Sequence, residues 1–314
     1  MVDPYGRSIN YLRISVTDRC NLRCAYCTSG DMDHYRHQDI LTYEEILRLC
    51  EIFAGLGVDT FRITGGEPLV RKDCPAFIKT LANMPWAKNV SVTTNGIHLA
   101  SLGGVKLSGI NMSLDALDPG VYKKITGSDQ LPATLAGLKE ALLFGVPIKI
   151  NAVIMAGVNQ SEILPLAALA ETHPVHVRFI ELMPSTENTG LIGVSQEEIL
   201  KILTTKYPDL APHHGKSTGP AVYYKSHGLQ GKIGFISPVN HSFCEDCNRL
   251  RLSATGFLRL CLHHDDGIAL LPLLRQGYDD AFIKAQIVQA IATKPKEHLI
   301  GSQTNLGDMS KIGG

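Results

Sequence analysis

Two groups of cysteines carry the chemistry open to this chain. Cys20-Asn21-Leu22-Arg23-Cys24-Ala25-Tyr26-Cys27 sets three thiols at a CxxxCxxC spacing near the N-terminus. Cys244-Glu245-Asp246-Cys247, with Cys261 further on, sets three more toward the C-terminus. Three thiolates can hold three irons of a [4Fe–4S] cluster and leave the fourth iron without a protein ligand. An open metal position is where a substrate can bind, as at a catalytic zinc. A zinc site competes for both spacings, and His241, His263 and His264 lie near enough in sequence to complete the second. The even count of 8 cysteines also allows disulfides, but that framework belongs to small secreted domains. This chain has 314 residues, and Met1 to Asn10 lacks an apolar signal core. Cys50 and Cys74 fall in or beside helix candidates and read as plain thiols.

The elements that must position these thiols alternate. Runs rich in Val, Ile and Thr predict strands at Tyr11–Thr17, Thr60–Thr64, Val90–Thr94, Ile110–Leu114, Ile148–Ile154 and Val175–Glu181. Between them lie helix candidates at Tyr43–Leu56, Pro75–Asn83, Pro132–Phe144 and Ser161–Thr172. Thr42 with Glu45 is a capping-box pattern, and Gly145 is a helix stop. Such alternation predicts a parallel sheet covered by helices. The units are too few for a closed eight-stranded barrel, so an open, partial (β/α)6 barrel is expected. Right-handed crossovers then bring every strand's C-terminal end to one face. The first cysteine group follows the first strand directly.

Near Leu182 the rhythm changes. A loop at Pro184–Gly193, a helix at Gln196–Thr204 and a polar stretch at Pro208–Pro220 precede four short segments. These are Ala221–Lys225, Lys232–Ser237, Leu250–Ser253 and Phe257–Leu260, and they read as antiparallel strands. Helices are expected around Ile268–Arg275 and Asp279–Thr293, and a weakly periodic tail at Gly301–Gly314. The expected organisation is therefore a barrel over 1–183 and a smaller α+β region over 184–314.

Composition excludes several classes. Charged residues are 19% and hydrophobic ones 44%, so the chain buries a core rather than staying disordered. Lys+Arg 30 against Asp+Glu 30 leaves no basic excess for general nucleic-acid binding. No apolar run of about 20 residues appears, so no membrane span is expected, and the chain reads as cytoplasmic.

The first cysteine group resembles the radical S-adenosylmethionine (SAM) superfamily, whose CxxxCxxC carries an aromatic residue before its last cysteine, here Tyr26. Gly65-Gly66-Glu67-Pro68 is similar to that superfamily's second motif. Further segments resemble the MoaA family of GTP 3′,8-cyclases, which act in molybdenum cofactor biosynthesis. They are Arg13 to Cys20, Arg62 to Pro68, Thr93 to Gly96, Asn111 to Ala116, Arg178 to Met183, Phe243 to Leu252 and the terminal Gly313-Gly314. The likeness spans about Arg7 to Gly314.

The resemblance implies two [4Fe–4S] clusters, one on Cys20, Cys24 and Cys27 and one on Cys244, Cys247 and Cys261. It implies SAM contacts at Tyr26, Gly66, Glu67, Ser113 and Met183. Glycine lets a backbone approach closely, and Glu67 can accept from the SAM amino group. GTP contacts fall on Arg13, Arg62, Thr93, Lys149, Arg249, Leu250 and Arg251, with Leu250 limited to backbone or packing. Cations on different strands can converge on one cavity, and Arg and Lys suit a triphosphate. Gly313 and Gly314 are expected to enter the barrel mouth. In the family, an electron cleaves SAM to a 5′-deoxyadenosyl radical that removes H3′ of GTP, and the C3′ radical adds to guanine C8. An electron donor, transfer of product to the cyclic pyranopterin monophosphate synthase, and a homodimer go with that resemblance.

Two departures stand out. Thr28-Ser29 replaces the family's Met-Pro after the third cysteine, and Asp209–Gly219 matches no family motif and reads as a surface insertion. Two other readings stay open. One is a different radical SAM enzyme with an auxiliary cluster, such as a peptide maturase, and the other is a non-catalytic Fe–S or zinc protein.

Overall fold

The computed structural model describes residues 1–27, 34–185, 188, 190–213, 215, 219–300 and 309–312. Six strands follow one another in chain order: β1 (Tyr11–Ser15), β2 (Thr60–Thr64), β3 (Asn89–Thr94), β4 (Gly109–Ser113), β5 (Ile148–Val153) and β6 (Val175–Ile180). Each pairs in parallel with the next. Their sequences alternate strictly. Leu12, Ile14, Phe61, Ile63, Val90, Val92, Ile110, Met112, Ile148, Ile150, Val175 and Val177 are buried in one apolar core. The residues between them belong to the opposite face of the sheet.

Five helices supply the other half of that core: α1 (Tyr43–Ala54), α2 (Cys74–Ala82), α3 (Pro119–Thr126), α4 (Leu131–Leu143) and α5 (Ile163–Thr172). The capping box at α1 forms as expected: Thr42 Oγ1 accepts from Glu45 N at 3.2 Å, and Glu45 Oε2 accepts from Thr42 N at 2.7 Å. Gly145, just past α4, has φ +67°, as a helix stop requires. Cys50 and Cys74 are fully buried core thiols. The short α3 was not foreseen. Asp118 caps it, accepting from Val121 N at 2.9 Å.

Beyond these come α6 (Gln196–Lys206), β7 (Ala211–Pro212), β8 (Val222–Lys225), β9 (Lys232–Ile236), β10 (Arg249–Leu252), β11 (Phe257–Arg259), β12 (Gly267–Ala269), α7 (Leu271–Arg275), α8 (Asp280–Ile291) and α9 (Met309–Ile312). The expectation of a purely antiparallel C-terminal set is corrected here. β8 is antiparallel to β9, and β10 to β11, but β9 lies parallel to β6 and β10 parallel to β1. A strand reached by a long connection is free of the hairpin's antiparallel constraint. The sheet order is β12-β11-β10-β1-β2-β3-β4-β5-β6-β9-β8-β7. The sheet therefore runs on past residue 183, and strands from both parts of the chain wall the same interior. The segment at 267–269 pairs as β12 instead of opening the helix expected from Ile268. Among the described residues no helix is long and apolar enough to cross a membrane.

Candidate active site

The face of the sheet away from the helices lines a cavity of about 1160 Å³. At the C-terminal end of β1, the chain runs through Val16–Arg19 into Cys20. That run is stitched to the Gly65–Glu67 turn after β2: Gly66 N donates to Thr17 O at 2.7 Å, and Glu67 N to Arg19 O at 2.8 Å. A Cβ on Gly65 would lie 2.7 Å from Thr17 O, and one on Gly66 2.4 Å from Arg19 O. The glycine pair thus permits the close approach of two backbone segments. Glu67 is buried, and accepts from Leu69 N at 3.1 Å, Thr94 Oγ1 at 2.8 Å and Asn95 N at 2.6 Å. Burial pushes its carboxyl up to about 7 against those donors. A carboxylate has about four acceptor sites, so one remains for a ligand.

The Cys20–Cys27 loop is held from the other side by α3, since Arg23 N donates to Thr126 O and Ala25 N to Ile125 O, both at 2.9 Å. Tyr26 Oη donates to Asp115 Oδ2 at 2.8 Å, and Asp115 Oδ1 accepts from Val153 N at 2.8 Å. Burial raises Asp115 to about 6. The aromatic position of the motif is therefore tied by its hydroxyl to the ends of β4 and β5. Burial and Asp115 push the Cys24 thiol well above its ordinary range. In the bare chain it is protonated, and binding iron would displace that proton.

Polar rows cross the cavity wall. Arg251, Arg13, Arg62 and Ser91 are register partners over β10, β1, β2 and β3. Thr93, Asn111, Lys149, His176 and Lys232 are register partners over β3, β4, β5, β6 and β9. Arg62 and Arg249 both lie against the Tyr11 ring, at 5.5 and 5.8 Å. Among the described residues, Arg13, Arg62, Lys149, Arg178 and Arg249 make no ion pair with a carboxylate. Arg13 Nε and Thr93 Oγ1 are buried without a hydrogen-bond partner. Burial, then Arg178 and Arg62, lower Lys149 to about 8. Such a surplus of desolvated positive charge awaits an anion.

The second cysteine group closes the opposite end. Cys244 and Cys247 precede β10, and Cys261 follows its antiparallel neighbour β11, so all three lie at the N-terminal end of β10. Because β10 is parallel to β1, the two trios are about one strand apart, on the order of 15 Å for the five residues of β1 at roughly 3.3 Å each. Arg7 braces this end: its guanidinium pairs with Asp3 at 2.6 Å and donates to Cys244 O at 2.8 Å and Lys296 O at 2.7 Å. Burial raises the Cys247 thiol, but Lys294, Arg249 and Arg7 outweigh it and hold the thiol below its usual value. All six cysteines line the cavity, and Cys20, Cys24, Cys244, Cys247 and Cys261 form no disulfide. Among the described residues no three of His, Cys, Asp or Glu close on a single-ion site. Thiols spaced more widely can still each take a separate iron of one cluster.

Tyr26, Gly66, Glu67, Ser113 and Met183 line the C-terminal end of the cavity, and Arg13, Arg62, Thr93, Lys149, Arg249 and Arg251 line it further down. Leu250 does not line it. The strand alternation turns its side chain into the apolar core, so it has no side-chain contact to offer there. Arg178 was read as part of a motif without a role. Its guanidinium lies in the cavity wall, held by Asn151 Oδ1 at 2.9 Å and Asn111 Oδ1 at 2.6 Å. Its position between buried Val177 and Phe179 on a strand was the available signal. Within the Asp209–Gly219 stretch, exposed His213 lines the cavity and lies 2.9 Å from Lys232 Nζ. Thr28, Ser29, Gly313 and Gly314 lie outside the described residues. Met309 lines the cavity, and its N–H donates to Cys27 O at 3.2 Å.

An open parallel barrel with a CxxxCxxC loop at its C-terminal mouth defines a radical SAM protein, and the radical SAM superfamily model matches residues 14–170. The Molybdenum Cofactor Synthesis C model matches residues 175–300. The chain is 42% identical over 306 residues to the GTP 3′,8-cyclase of Clostridium perfringens, covering 95% of this chain and 94% of that one. It is 42% identical over 324 residues to that of Moorella thermoacetica, covering 100% of both. The chain belongs to the GTP 3′,8-cyclase family of radical SAM enzymes, a family that implies a [4Fe–4S] cluster and SAM. In fold it is similar to SuiB of Streptococcus suis in a SAM-bound crystal structure, with a TM-score of 0.66 at 15% identity, covering 91% of this chain and 68% of that one.

Proposed function

We propose that this chain joins C3′ to C8 within GTP, giving 3′,8-cyclo-7,8-dihydro-GTP, the first step of molybdenum cofactor biosynthesis. The observation that carries this reading is the belt of cations, of which Arg13, Arg62, Lys149, Arg178 and Arg249 make no ion pair among the described residues, between two cysteine trios at opposite ends of one cavity. Cys20, Cys24 and Cys27 would hold one [4Fe–4S] cluster, whose chemistry with SAM would be to supply a 5′-deoxyadenosyl radical. Tyr26, Gly66, Glu67, Ser113 and Met183 line the cavity there and orient SAM. Arg13, Arg62, Lys149 and Arg178 take the triphosphate, where bidentate guanidinium contacts fix register as well as charge. Thr93 Oγ1, without a hydrogen-bond partner among the described residues, donates to the nucleotide.

Cys244, Cys247 and Cys261 would hold a second cluster, which would supply a binding position for the guanine, with Arg249 and Arg251 flanking the base. Anchoring GTP at both ends sets C3′ toward the radical source, and such positioning dominates the rate of a radical transfer. An external reductant supplies electrons, and the product passes to the cyclic pyranopterin monophosphate synthase. Anaerobic turnover of GTP carrying deuterium at C3′, with SAM and dithionite, tests the reading. Deuterium should appear in 5′-deoxyadenosine together with the cyclised nucleotide, and unlabelled 5′-deoxyadenosine would overturn it.

A further inference from the structure

The pocket of the second cysteine trio contains a buried charge that makes no ion pair among the described residues. Lys294 follows α8 and is 2% exposed. Its Nζ donates to Arg249 O at 3.2 Å and to Leu260 O. Arg249 stands two residues after Cys247, and Leu260 immediately precedes Cys261. One ammonium thus pins together the two segments that carry the trio. Pinning two carbonyls needs only neutral donors, whereas a buried charge needs a partner. Lys294 makes no ion pair among the described residues; of the other cations at this end, Arg7 is already neutralised by Asp3 at 2.6 Å, and Arg249 lies over the Tyr11 and Phe243 rings. An ammonium has three donors, so one remains after the two carbonyls.

The first trio sits in the opposite field. Buried Asp115 and Glu67 face it: Asp115 accepts from the hydroxyl of Tyr26, which lies between Cys24 and Cys27, and Glu67 N donates to Arg19 O, next to Cys20. At the second trio, Lys294 Nζ is bound to the carbonyls of Arg249 and Leu260, beside Cys247 and Cys261. A [4Fe–4S] cluster gains one negative charge when it takes up an electron, so nearby positive charge favours its reduced form, and nearby carboxylates disfavour it.

We propose that Lys294 is the built-in counter-ion of the auxiliary cluster and holds its reduction potential above that of the SAM cluster. This rests on the reading that Cys244, Cys247 and Cys261 hold a cluster, so the test separates the two. In a Cys20→Ala, Cys24→Ala, Cys27→Ala background only the auxiliary cluster can assemble, and its midpoint can be followed by electron paramagnetic resonance. Lys294→Gln keeps neutral donors without the charge. It should shift the reduction equilibrium at least tenfold toward the oxidised form, which for one electron is about 59 mV. Lys294→Arg should restore most of that shift. In the otherwise unaltered chain, the SAM-cluster midpoint should stay in place with Lys294→Gln. About four irons with an unmoved auxiliary midpoint would overturn the role of Lys294 alone. No iron in the triple-alanine chain with Lys294 intact would overturn the second cluster, and this proposal with it. If Lys294→Gln and Lys294→Met lose the cluster while Lys294→Arg keeps it, the counter-ion role stands. Loss in all three would make Lys294 a structural pin only.

Discussion

Arg13 on β1 and Arg251 on β10 are direct register partners across a parallel pairing. Burial lowers Arg13 well below the ordinary range, and repulsion from Arg251 and Arg62 lowers it further. Like charges stacked in a desolvated wall oppose folding and favour an anionic ligand. Arg13→Met keeps much of the volume and removes the buried charge. It should raise the melting temperature of the ligand-free protein while weakening GTP about ten- to a hundredfold, the worth of a charge-assisted contact of roughly 1.5–3 kcal/mol. Calorimetric melting and GTP titration check this together. A variant that lost stability and kept GTP affinity would remove Arg13 from the phosphate site.

Lys149 gives GTP binding a pH limit. Burial, Arg178 and Arg62 lower the free lysine to about 8, and a bound triphosphate must raise it. A group whose bound-state value is raised contributes affinity in full below its free value and loses it as pH climbs toward the bound value. GTP affinity should therefore be flat from pH 7 to about 8 and fall above it, approaching tenfold per pH unit. Lys149→Met should bind weakly with that limb gone. An identical limb in the variant would assign the pH dependence to another group.

The two trios occupy opposite mouths of the cavity, so their losses should differ. Cys24→Ala should abolish reductive SAM cleavage. Cys261→Ala should leave some SAM cleavage but stop GTP cyclisation, because only substrate placement depends on that end. Quantifying 5′-deoxyadenosine and cyclised nucleotide separately distinguishes them. Equal loss of cleavage in two folded variants would contradict the division.

The Tyr26–Asp115 bond predicts a coupled defect. Tyr26→Phe leaves a carboxylate 3% exposed with only Val153 N as partner, which should cost about 1–3 kcal/mol of stability. Asp115→Asn in the same chain should recover part of that loss, since the neutral amide is cheaper to bury. Denaturant midpoints for the two single variants and the double variant give the coupling energy. A coupling near zero would mean that the hydroxyl does not anchor the loop.

Much of this was legible because alternation reports on faces. Arg13 between Leu12 and Ile14, and Arg62 between Phe61 and Ile63, could only turn away from the apolar core. Sequence alone did not reveal pairing between distant segments. Nothing local in Arg249–Leu252 says that it lies beside β1, yet that neighbour joins the second trio to the barrel. Sequence names Tyr26 as the motif's aromatic residue but not its bond to Asp115, which lies far along the chain. Lys294 reads as an ordinary lysine just past a helix, and only its burial against Arg249 and Leu260 sets it apart.

The C-terminal tail offers the last prediction. α9 lies at the mouth that carries the first trio: Met309 N donates to Cys27 O at 3.2 Å, and Lys311 Nζ stands 5.7 Å from the Tyr35 ring. Gly313 and Gly314 follow directly. Two residues without side chains can thread a narrow opening and take backbone conformations closed to others. Deleting Gly313 and Gly314 should leave iron content and SAM binding unchanged but stop formation of the cyclised nucleotide, because the anchor at Met309 remains while the segment beyond it is lost. Gly313→Ala with Gly314→Ala should fall between the deletion and the unaltered chain, since it restricts the backbone without removing it. Product yield per SAM cleaved is the sensitive readout. A deletion variant with a normal ratio would make the tail a passive end.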